Sequence, residues 1–285
     1  MLPRPTAGPN FRIMIPASHI VPWFHAARSL ALGLCVLLLV CACGKSDPPK
    51  TRFARIAVAS NFAESARVLA DEFKKSHNAE IEFTPGSTGK QYAQIINGAP
   101  FDAFLSADAA RPARLESEGR GVAGTRFTYA LGRLALWSAR ADFVDANGEV
   151  LRGDAFTHLA IAKPDLAPYG AAAESTLEHL KLWDGVQSRL VFGENISQTF
   201  QFVESGNAEI GFVAWSQVSP RTGDARGSYW LVPSTMHPPI AQDAILLTNN
   251  EVAREFLEFL KTPDAKTLIA KHGYDIPGEA PHGQH

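Results

Sequence analysis

Short apolar segments that end in a turn of small polar residues and then continue as an amphipathic helix recur along this chain. In the first of them, residues 56–59 are apolar, Ser60 and Asn61 follow, and apolar residues then recur at helical spacing between 66 and 73. A short apolar run predicts a strand, and a period near 3.6 residues predicts a helix. Strands that alternate with helices in this way predict an α/β protein with doubly wound, parallel sheets.

The first turn has two interpretations. Ser and Asn are preferred at helix N-termini, where their side chains accept hydrogen bonds from free backbone N–H groups. The same N–H groups, with the positive end of the helix dipole, also suit an anion. For this turn taken alone, capping of the helix by Ser60 and Asn61 is a sufficient explanation.

The second turn reads PGSTGK at residues 85–90 and follows an alternating strand at 80–84. A nucleotide-binding phosphate loop would need glycine at position 84 and Ser or Thr at position 91, where this chain has Thr84 and Gln91. The pattern for nucleotide binding therefore fails. Ser87 still supplies a hydroxyl, and the flanking glycines let the backbone approach a small ligand.

The rest of the chain continues the pattern. The apolar segment at 129–138 contains Gly132 and is long for one strand, which predicts a segment that passes from one lobe into another. Two further turns at predicted helix starts are Pro-Tyr-Gly at 168–170 and Asn-Ile-Ser at 195–197. Other strands are predicted at 101–108, 158–162, 190–192, 209–214 and 244–247, and the last helices at 252–260 and 265–270.

Charge and cysteine content exclude several classes of protein. The net charge of the 285 residues is -2, so no basic excess is present to follow a nucleic-acid backbone. The three cysteines, Cys35, Cys41 and Cys43, all lie near the N-terminus. The body of the protein therefore has neither a disulfide network nor a thiol catalyst.

Residues 1–43 are predicted to be an export signal. Arg12 and Arg28 precede an apolar run, and small residues follow it. The sequence VCAC that ends at Cys43 resembles the lipobox of bacterial lipoproteins, in which the last cysteine is acylated; a plain cleaved signal stays open as the alternative. Residues 44–54 are predicted to be a polar tether. No second apolar segment is long enough to span a membrane.

The sequence contains no catalytic motif. It has no Gly-x-Ser-x-Gly elbow and no His-Glu-x-x-His helix, and its histidines lie singly. Four turns of neutral hydrogen-bond donors in one exported α/β chain exceed what capping explains. Ligands of open α/β sheets bind where these turns lie, at the C-terminal ends of strands. We therefore predict that the turns bind a small anion and that the chain is not an enzyme.

Several motifs taken together resemble the periplasmic molybdate-binding proteins of ABC transporters, over about residues 55–274. The motifs are AVASNF, GSTGK followed by YAQI, GAPFDAFLSAD, YALGRLALWS, the Pro-Tyr-Gly turn, and GEN followed by IGFVAWSQ.

The resemblance implies the fold of a type II periplasmic binding protein, in which two doubly wound α/β lobes, joined by a hinge of crossing strands, close on the ligand. Lobe I would comprise residues 55–133 and 239–275, and lobe II residues 134–238. Residues 276–285 would form a flexible tail.

The resemblance also implies which residues bind the ligand. Ser60 and Asn61 at the first turn and Ser87 at the second would bind an oxyanion from lobe I. Tyr169 and Ile196 would bind it from lobe II, Ile196 through its backbone N–H.

No cofactor is implied, and these five residues would contact a metal only through the oxygens of molybdate. Some members of the family place a ligand Tyr after a later strand. This chain has Ala214 and Trp215 there, so that contact stays open.

The implied function is the capture of molybdate, and also tungstate, outside the cytoplasm and its delivery to the membrane permease of an ABC importer. The protein would be a periplasmic monomer, anchored to the membrane only if Cys43 is acylated, with no nucleic-acid partner. Neutral donors would select the ion by size and so disfavour sulfate.

The alternatives are the same fold with sulfate, thiosulfate, an organic anion or ferric iron, a ligand-sensing regulator domain, and an exported hydrolase that uses Ser60 or Ser87.

Overall fold

The computed structural model describes residues 52–219 and 227–279. The predicted export signal at 1–43, with Cys43, most of the tether at 44–54, and the end of the tail lie outside the described residues. No helix among the described residues is both long and apolar enough to cross a membrane.

In the described residues, ten strands form two five-stranded sheets. The first sheet has the order β2-β1-β3-β10-β4, and the second sheet has the order β7-β6-β8-β5-β9. The strands of the first sheet are β1 (Arg52–Ala59), β2 (Ala79–Gly86), β3 (Ala103–Leu105), β4 (Phe127–Gly132) and β10 (Ile240–Leu246). Those of the second sheet are β5 (Leu134–Ser138), β6 (Leu159–Ala162), β7 (Leu190–Gly193), β8 (Ile210–Ala214) and β9 (Ser228–Leu231).

Nine α-helices flank the sheets in the described part of the chain. They are α1 (Ala63–Lys74), α2 (Thr88–Ile96), α3 (Ala110–Ser117), α4 (Pro168–His179), α5 (Trp183–Val186), α6 (Ile196–Glu204), α7 (Trp215–Val218), α8 (Glu251–Phe259) and α9 (Pro263–Lys271). The two sheets with their helices form the two α/β lobes that the sequence predicts.

Each sheet combines the parallel pairing that the sequence predicts with antiparallel pairs. In the first sheet β1 runs parallel to β2 and β3, whereas β10 runs antiparallel to β3 and β4. In the second sheet β6 runs parallel to β7 and β8, whereas β5 runs antiparallel to β8 and β9. Each antiparallel strand, β5 or β10, is the one that enters its sheet from the other lobe.

The chain crosses between the lobes twice. After β4 it passes through Arg133 directly into β5, so the long apolar segment at 129–138 does connect the two sheets, as predicted. It returns between β9 and β10. Hydrogen bonds of Trp215 N to Arg133 O (2.8 Å) and of Val232 N to Leu134 O (3.0 Å) hold the crossing point together.

Each lobe has its own apolar core. The largest cluster of the first lobe includes Phe62, Leu69 and Phe73, which face the sheet from the start and the length of α1. The largest cluster of the second lobe includes Leu134, Ile161 and Phe212. The apolar stripe with a period near 3.6 in α1 is thus buried as the sequence predicts.

Two predicted boundaries differ from the structure. Strand β1 begins at Arg52 and pairs with β2 from that residue, so the last three residues assigned to the tether, 52–54, belong to the first sheet. Ile276, the first residue assigned to the tail, is 2 % exposed and packs in the core of the first lobe. Strand pairing at the N-terminal end and apolar burial at the C-terminal end therefore extend the first lobe.

Candidate functional site

A small cleft between the two lobes brings the five predicted binding residues together. Its cavity volume is about 10 Å³, far below the roughly 300–1,000 Å³ of sites for drug-sized molecules, so a ligand of that size is excluded. Its lining consists of Ala59, Ser60, Asn61, Gly86, Ser87, Thr88, Ala107, Ala167, Pro168, Tyr169 and Ile196.

The first turn does not cap its helix with side chains. Ser60–Phe62 forms a 3-10 turn that continues into α1, and neither start has a side-chain capping bond. The prediction that Ser60 and Asn61 cap the helix is therefore wrong. The first N–H groups of such a turn have no partner within it, and they lie at the cleft.

The side chain of Asn61 points into a buried network. Its Nδ2 donates to Oε1 of Gln242 (2.9 Å) and lies 3.3 Å from the hydroxyl of Tyr274. The Tyr274 hydroxyl in turn donates to the Asn61 carbonyl (2.8 Å). The contacts of the amide nitrogen are thus protein groups beneath the cleft.

Ser87 lies at the end of β2, directly before α2. It is 4 % exposed, and its hydroxyl makes no capping bond to the helix. The neighbouring Thr88 is used by the protein itself, because its Oγ1 accepts from Ala107 N (3.1 Å). This bond fixes the position of Thr88 Oγ1, whereas the Ser87 hydroxyl makes no capping bond and can turn toward a ligand.

Tyr169 turns its hydroxyl away from solvent. The residue is 1 % exposed, and its hydroxyl accepts from Nε2 of Gln242 (3.3 Å). Burial raises the pKa of this phenol well above its usual value, so it stays neutral. Since Pro168 starts α4, Tyr169 lies in the first turn of the helix, where backbone N–H groups have no hydrogen-bond partner within the helix. The backbone N–H is thus the group of Tyr169 that suits an anion.

Ile196 offers a backbone N–H at the start of α6. Asn195 caps this helix, and its Oδ1 accepts from the N–H groups of Ser197 and Gln198, both at 3.0 Å. The cap leaves the N–H of Ile196, the first helical residue, to the cleft. The cap of this helix, Asn195, and the predicted ligand, Ile196, are thus neighbouring residues.

Trp215 is not part of the cleft lining. Its ring packs on Tyr229, with centroids 4.7 Å apart, and the Arg133 guanidinium lies 6.0 Å from its centroid. Trp215 therefore does not take the place of the Tyr ligand found in some members of the family.

The lobes contact each other around the cleft. Gly89 N donates to Leu166 O (2.9 Å), and Nη2 of Arg111 donates to Asp165 O (3.0 Å). Elsewhere along the cleft, Oγ of Ser197 donates to Ser60 O (3.2 Å). These bonds join the lobes in a closed arrangement.

The lining is uncharged, and it combines small apolar residues with hydrogen-bond donors. Among the described residues that line the cleft, none is acidic, basic or histidine, and no group of His, Cys, Asp or Glu in the described part of the chain could hold a metal ion. Unpaired N–H groups and the Ser60 and Ser87 hydroxyls can bind an anion. A bound cation would find no carboxylate there.

Sequence reasoning did not identify Gln242, which lies under the cleft. It belongs to β10 and is fully buried, in contact with both Asn61 and Tyr169. A glutamine within a strand carries no local signal of such a role. A polar residue in an otherwise apolar strand next to Asp243 is the one hint that the sequence offers.

Comparison with known proteins identifies the family. The family model for bacterial extracellular solute-binding proteins matches residues 54–275. Two relatives named molybdate-binding protein ModA, from Azotobacter vinelandii and Rhodobacter capsulatus, are 44% and 43% identical over 250 residues, which cover 87% of this chain and 97% of each relative. The solved Azotobacter vinelandii periplasmic molybdate-binding protein superposes with a TM-score of 0.77 at 38% identity, over 79% of this chain and 99% of that one.

The match covers both lobes, both crossings and all four turns that line the cleft, so the chain belongs to the bacterial extracellular solute-binding proteins.

Proposed function

We propose that this protein captures molybdate, and also tungstate, in the cleft between its lobes and delivers the ion to an ABC importer. The observation that carries the proposal is the cleft lining, in which neutral donors from four turns converge without a charged side chain. The high identity to two ModA proteins over nearly their whole length supports the same conclusion.

The proposed ligands are Ser60, Asn61, Ser87, Tyr169 and Ile196. Tyr169 and Ile196 act through backbone N–H groups, and Ser60 and Ser87 act through hydroxyl and N–H. Asn61 contributes its N–H, because its side chain is engaged below the cleft. The positive ends of the helix dipoles add to these donors, so a dianion is held without a counter-charge.

Ion size sets the selectivity in this proposal. Donors fixed on two closed lobes fit one radius, so the larger molybdate and tungstate are preferred to sulfate. Monohydrogen phosphate also carries a proton that needs an acceptor, and the lining offers no carboxylate. A hydrolase is disfavoured, because no histidine lines the cleft beside Ser60 or Ser87 among the described residues.

We also propose that the protein works as a monomer in the periplasm, acts as a carrier rather than an enzyme, and meets the permease subunit of the importer there. The lipobox-like sequence before Gly44 supports a lipid anchor on Cys43. Metabolic labelling with a fatty acid, compared between the parent and Cys43→Ala, tests the anchor.

A thermal-shift panel of oxyanions on the purified protein tests the ligand. A ligand that binds only the native state stabilises it by about 2.7 kcal/mol at a hundredfold excess over Kd, which raises the Tm of a protein of this size by roughly 5–10 °C. We expect that shift with molybdate and tungstate and a much smaller one with sulfate and phosphate. An equal shift with sulfate would refute the size argument, and no shift with molybdate would refute the function.

A further inference from the structure

A network of buried polar side chains lies directly under the cleft. Gln242 is 0 % exposed and Asn61 is 6 % exposed, and the hydroxyls of Tyr129, Tyr169 and Tyr274 surround them. Burying an amide without hydrogen-bond partners is costly, so such groups are kept only where their partners are well placed.

The hydrogens of this network can be assigned from its contacts. The single hydroxyl hydrogen of Tyr274 goes to the Asn61 carbonyl, so the Tyr274 oxygen can only accept from the Asn61 side chain. The group of Asn61 next to it must therefore be the NH2, which faces Oε1 of Gln242 at 2.9 Å. Gln242 thus supplies the acceptor that holds the Asn61 amide.

The Nε2 end of the Gln242 side-chain amide reaches the second lobe. Nε2 of Gln242 donates to the hydroxyl of Tyr169 at 3.3 Å. Gln242 lies on β10 of the first sheet, whereas Tyr169 lies at the start of α4, whose first turn lines the cleft. One side chain therefore joins two proposed ligand residues, one from each lobe.

The backbone leaves room for this contact. A Cβ at Gly132 would lie 2.3 Å from the Tyr169 hydroxyl and 2.9 Å from Nε2 of Gln242. Gly132 is the last residue of β4 before the chain crosses into the second lobe. On β10 the register shifts between Gln242 and Asp243, so no residue of β10 pairs directly with Tyr129 of β4. The Tyr129 hydroxyl can therefore lie 3.1 Å from Oε1 of Gln242.

We propose that Gln242 is a positioning residue of the anion site, which holds Asn61 with its Oε1 and Tyr169 with its Nε2 and so fixes the N–H groups of both lobes at one separation. The inference rests on the proposed function. Gln242 itself does not line the cleft and acts through the two residues that do.

Isothermal titration with molybdate on the purified protein tests this role with Gln242→Met, Tyr169→Phe and the double variant. Methionine has a similar length but offers the amide of Asn61 no acceptor, so we expect binding that is weaker by about 10- to 100-fold, as for a buried donor left without its partner. Tyr169→Phe keeps the backbone N–H and removes the hydrogen bonds of its hydroxyl to Gln242 and Asn61, and we expect about 3- to 10-fold weaker binding.

The double variant separates positioning from a general loss of stability. Both single changes break the same bond, so their effects on Kd should not multiply. Thr176→Val is the matched control, because it removes a buried hydroxyl that bonds within α4 to Ala172 O (2.8 Å). It should lower the Tm and leave Kd within about twofold, the difference expected of a site outside the network.

The outcomes distinguish this inference from the function on which it rests. If the parent does not bind molybdate, the proposed function fails and the inference fails with it. If the parent binds and Gln242→Met binds as tightly, or the two changes multiply, only the role of Gln242 is refuted. If Gln242→Met does not fold, Tyr169→Phe decides, since parental affinity in that variant overturns the proposal.

Discussion

Ser87 lies directly before a helix that it does not cap, in a turn where Oγ1 of the neighbouring Thr88 accepts a hydrogen bond from Ala107 N. A serine whose hydroxyl is buried at a cleft and left free by its own helix is well placed to donate to a ligand. Serine at this position is compatible with either a helix cap or a ligand. Because its hydroxyl makes no capping bond, the structure favours the role of a ligand.

Ser87→Ala is expected to weaken molybdate binding by about 10- to 100-fold, because a hydrogen bond to a charged group contributes about 1.5–3 kcal/mol. Titration calorimetry measures the change. Ser117→Ala is the control, since Ser117 is exposed and its hydroxyl bonds within α3 to Arg114 O (3.0 Å). Equal affinity of the parent and Ser87→Ala for molybdate would show that the Ser87 hydroxyl does not bind the ion.

The buried phenols predict how stability depends on pH. Burial raises the pKa of Tyr129 and of Tyr169 well above the usual value, so the folded protein holds these protons more tightly than the unfolded chain does. The resulting stability is fully present below the ordinary phenol pKa of about 10 and is lost as the pH rises above it. We expect alkaline unfolding that coincides with the appearance of phenolate absorbance. Titration of these phenols in a protein that stays folded would contradict the prediction.

Asn61 shows why the role of a residue cannot be read from its type alone. Its preference for caps is local, whereas Gln242, its hydrogen-bond partner, lies 181 residues further along the chain. A contact at that separation leaves no trace in the spacing of nearby residues. The sequence therefore predicted where Asn61 lies but not what its side chain does.

At the scale of elements, each residue of the Pro-Tyr-Gly turn has a different structural role. Pro168 begins α4, Tyr169 reaches down to Gln242, and Gly170 packs against β6. A Cβ at Gly170 would lie 2.2 Å from the carbonyl oxygen of Ala162. The glycine therefore sets how closely α4 approaches the strand.

Gly170→Ala should push α4 away from β6 and destabilise the protein by about 1–3 kcal/mol, the usual cost of overpacking. Urea unfolding followed by circular dichroism gives this value. Gly185→Ala is the comparison, because nothing lies within 4 Å of a Cβ at that helical position. A stability equal to the parent in Gly170→Ala would show that the helix and the strand can separate without cost.

Strands and helices with a clear period were predictable from the sequence, and the pairing of strands was not. The segment at 129–138 was correctly expected to connect two lobes, because ten residues are more than one strand of usual length contains. Nothing local shows that β5 and β10 run antiparallel to their neighbours, since the direction of a strand depends on the sheet it enters.

At the scale of the whole molecule, the closed arrangement depends on a glycine at the contact between lobes. Gly89 N donates to Leu166 O, and a Cβ at Gly89 would lie 3.1 Å from both Cα and O of Leu166. The backbones of the two lobes therefore meet more closely here than a side chain would comfortably allow.

Gly89→Ala should weaken molybdate binding several-fold, about 1 kcal/mol, because it opposes closure without disturbing either core. The Tm without ligand should change little, since an alanine is acceptable within the first turn of a helix. Calorimetry with molybdate and a melting curve of the free protein measure the two effects. Parental affinity in this variant would show that the lobes need not approach so closely.

The uncharged lining of the cleft also affects the loaded molecule as a whole. A dianion held only by N–H groups and hydroxyls keeps its full charge, so uptake adds two negative charges to a chain whose formal net charge is -2. Filled and empty copies should then migrate at different speeds in native electrophoresis and leave an anion exchanger at different salt concentrations. Occupancy can thus be counted in a mixed population, with no label on the ion or on the protein.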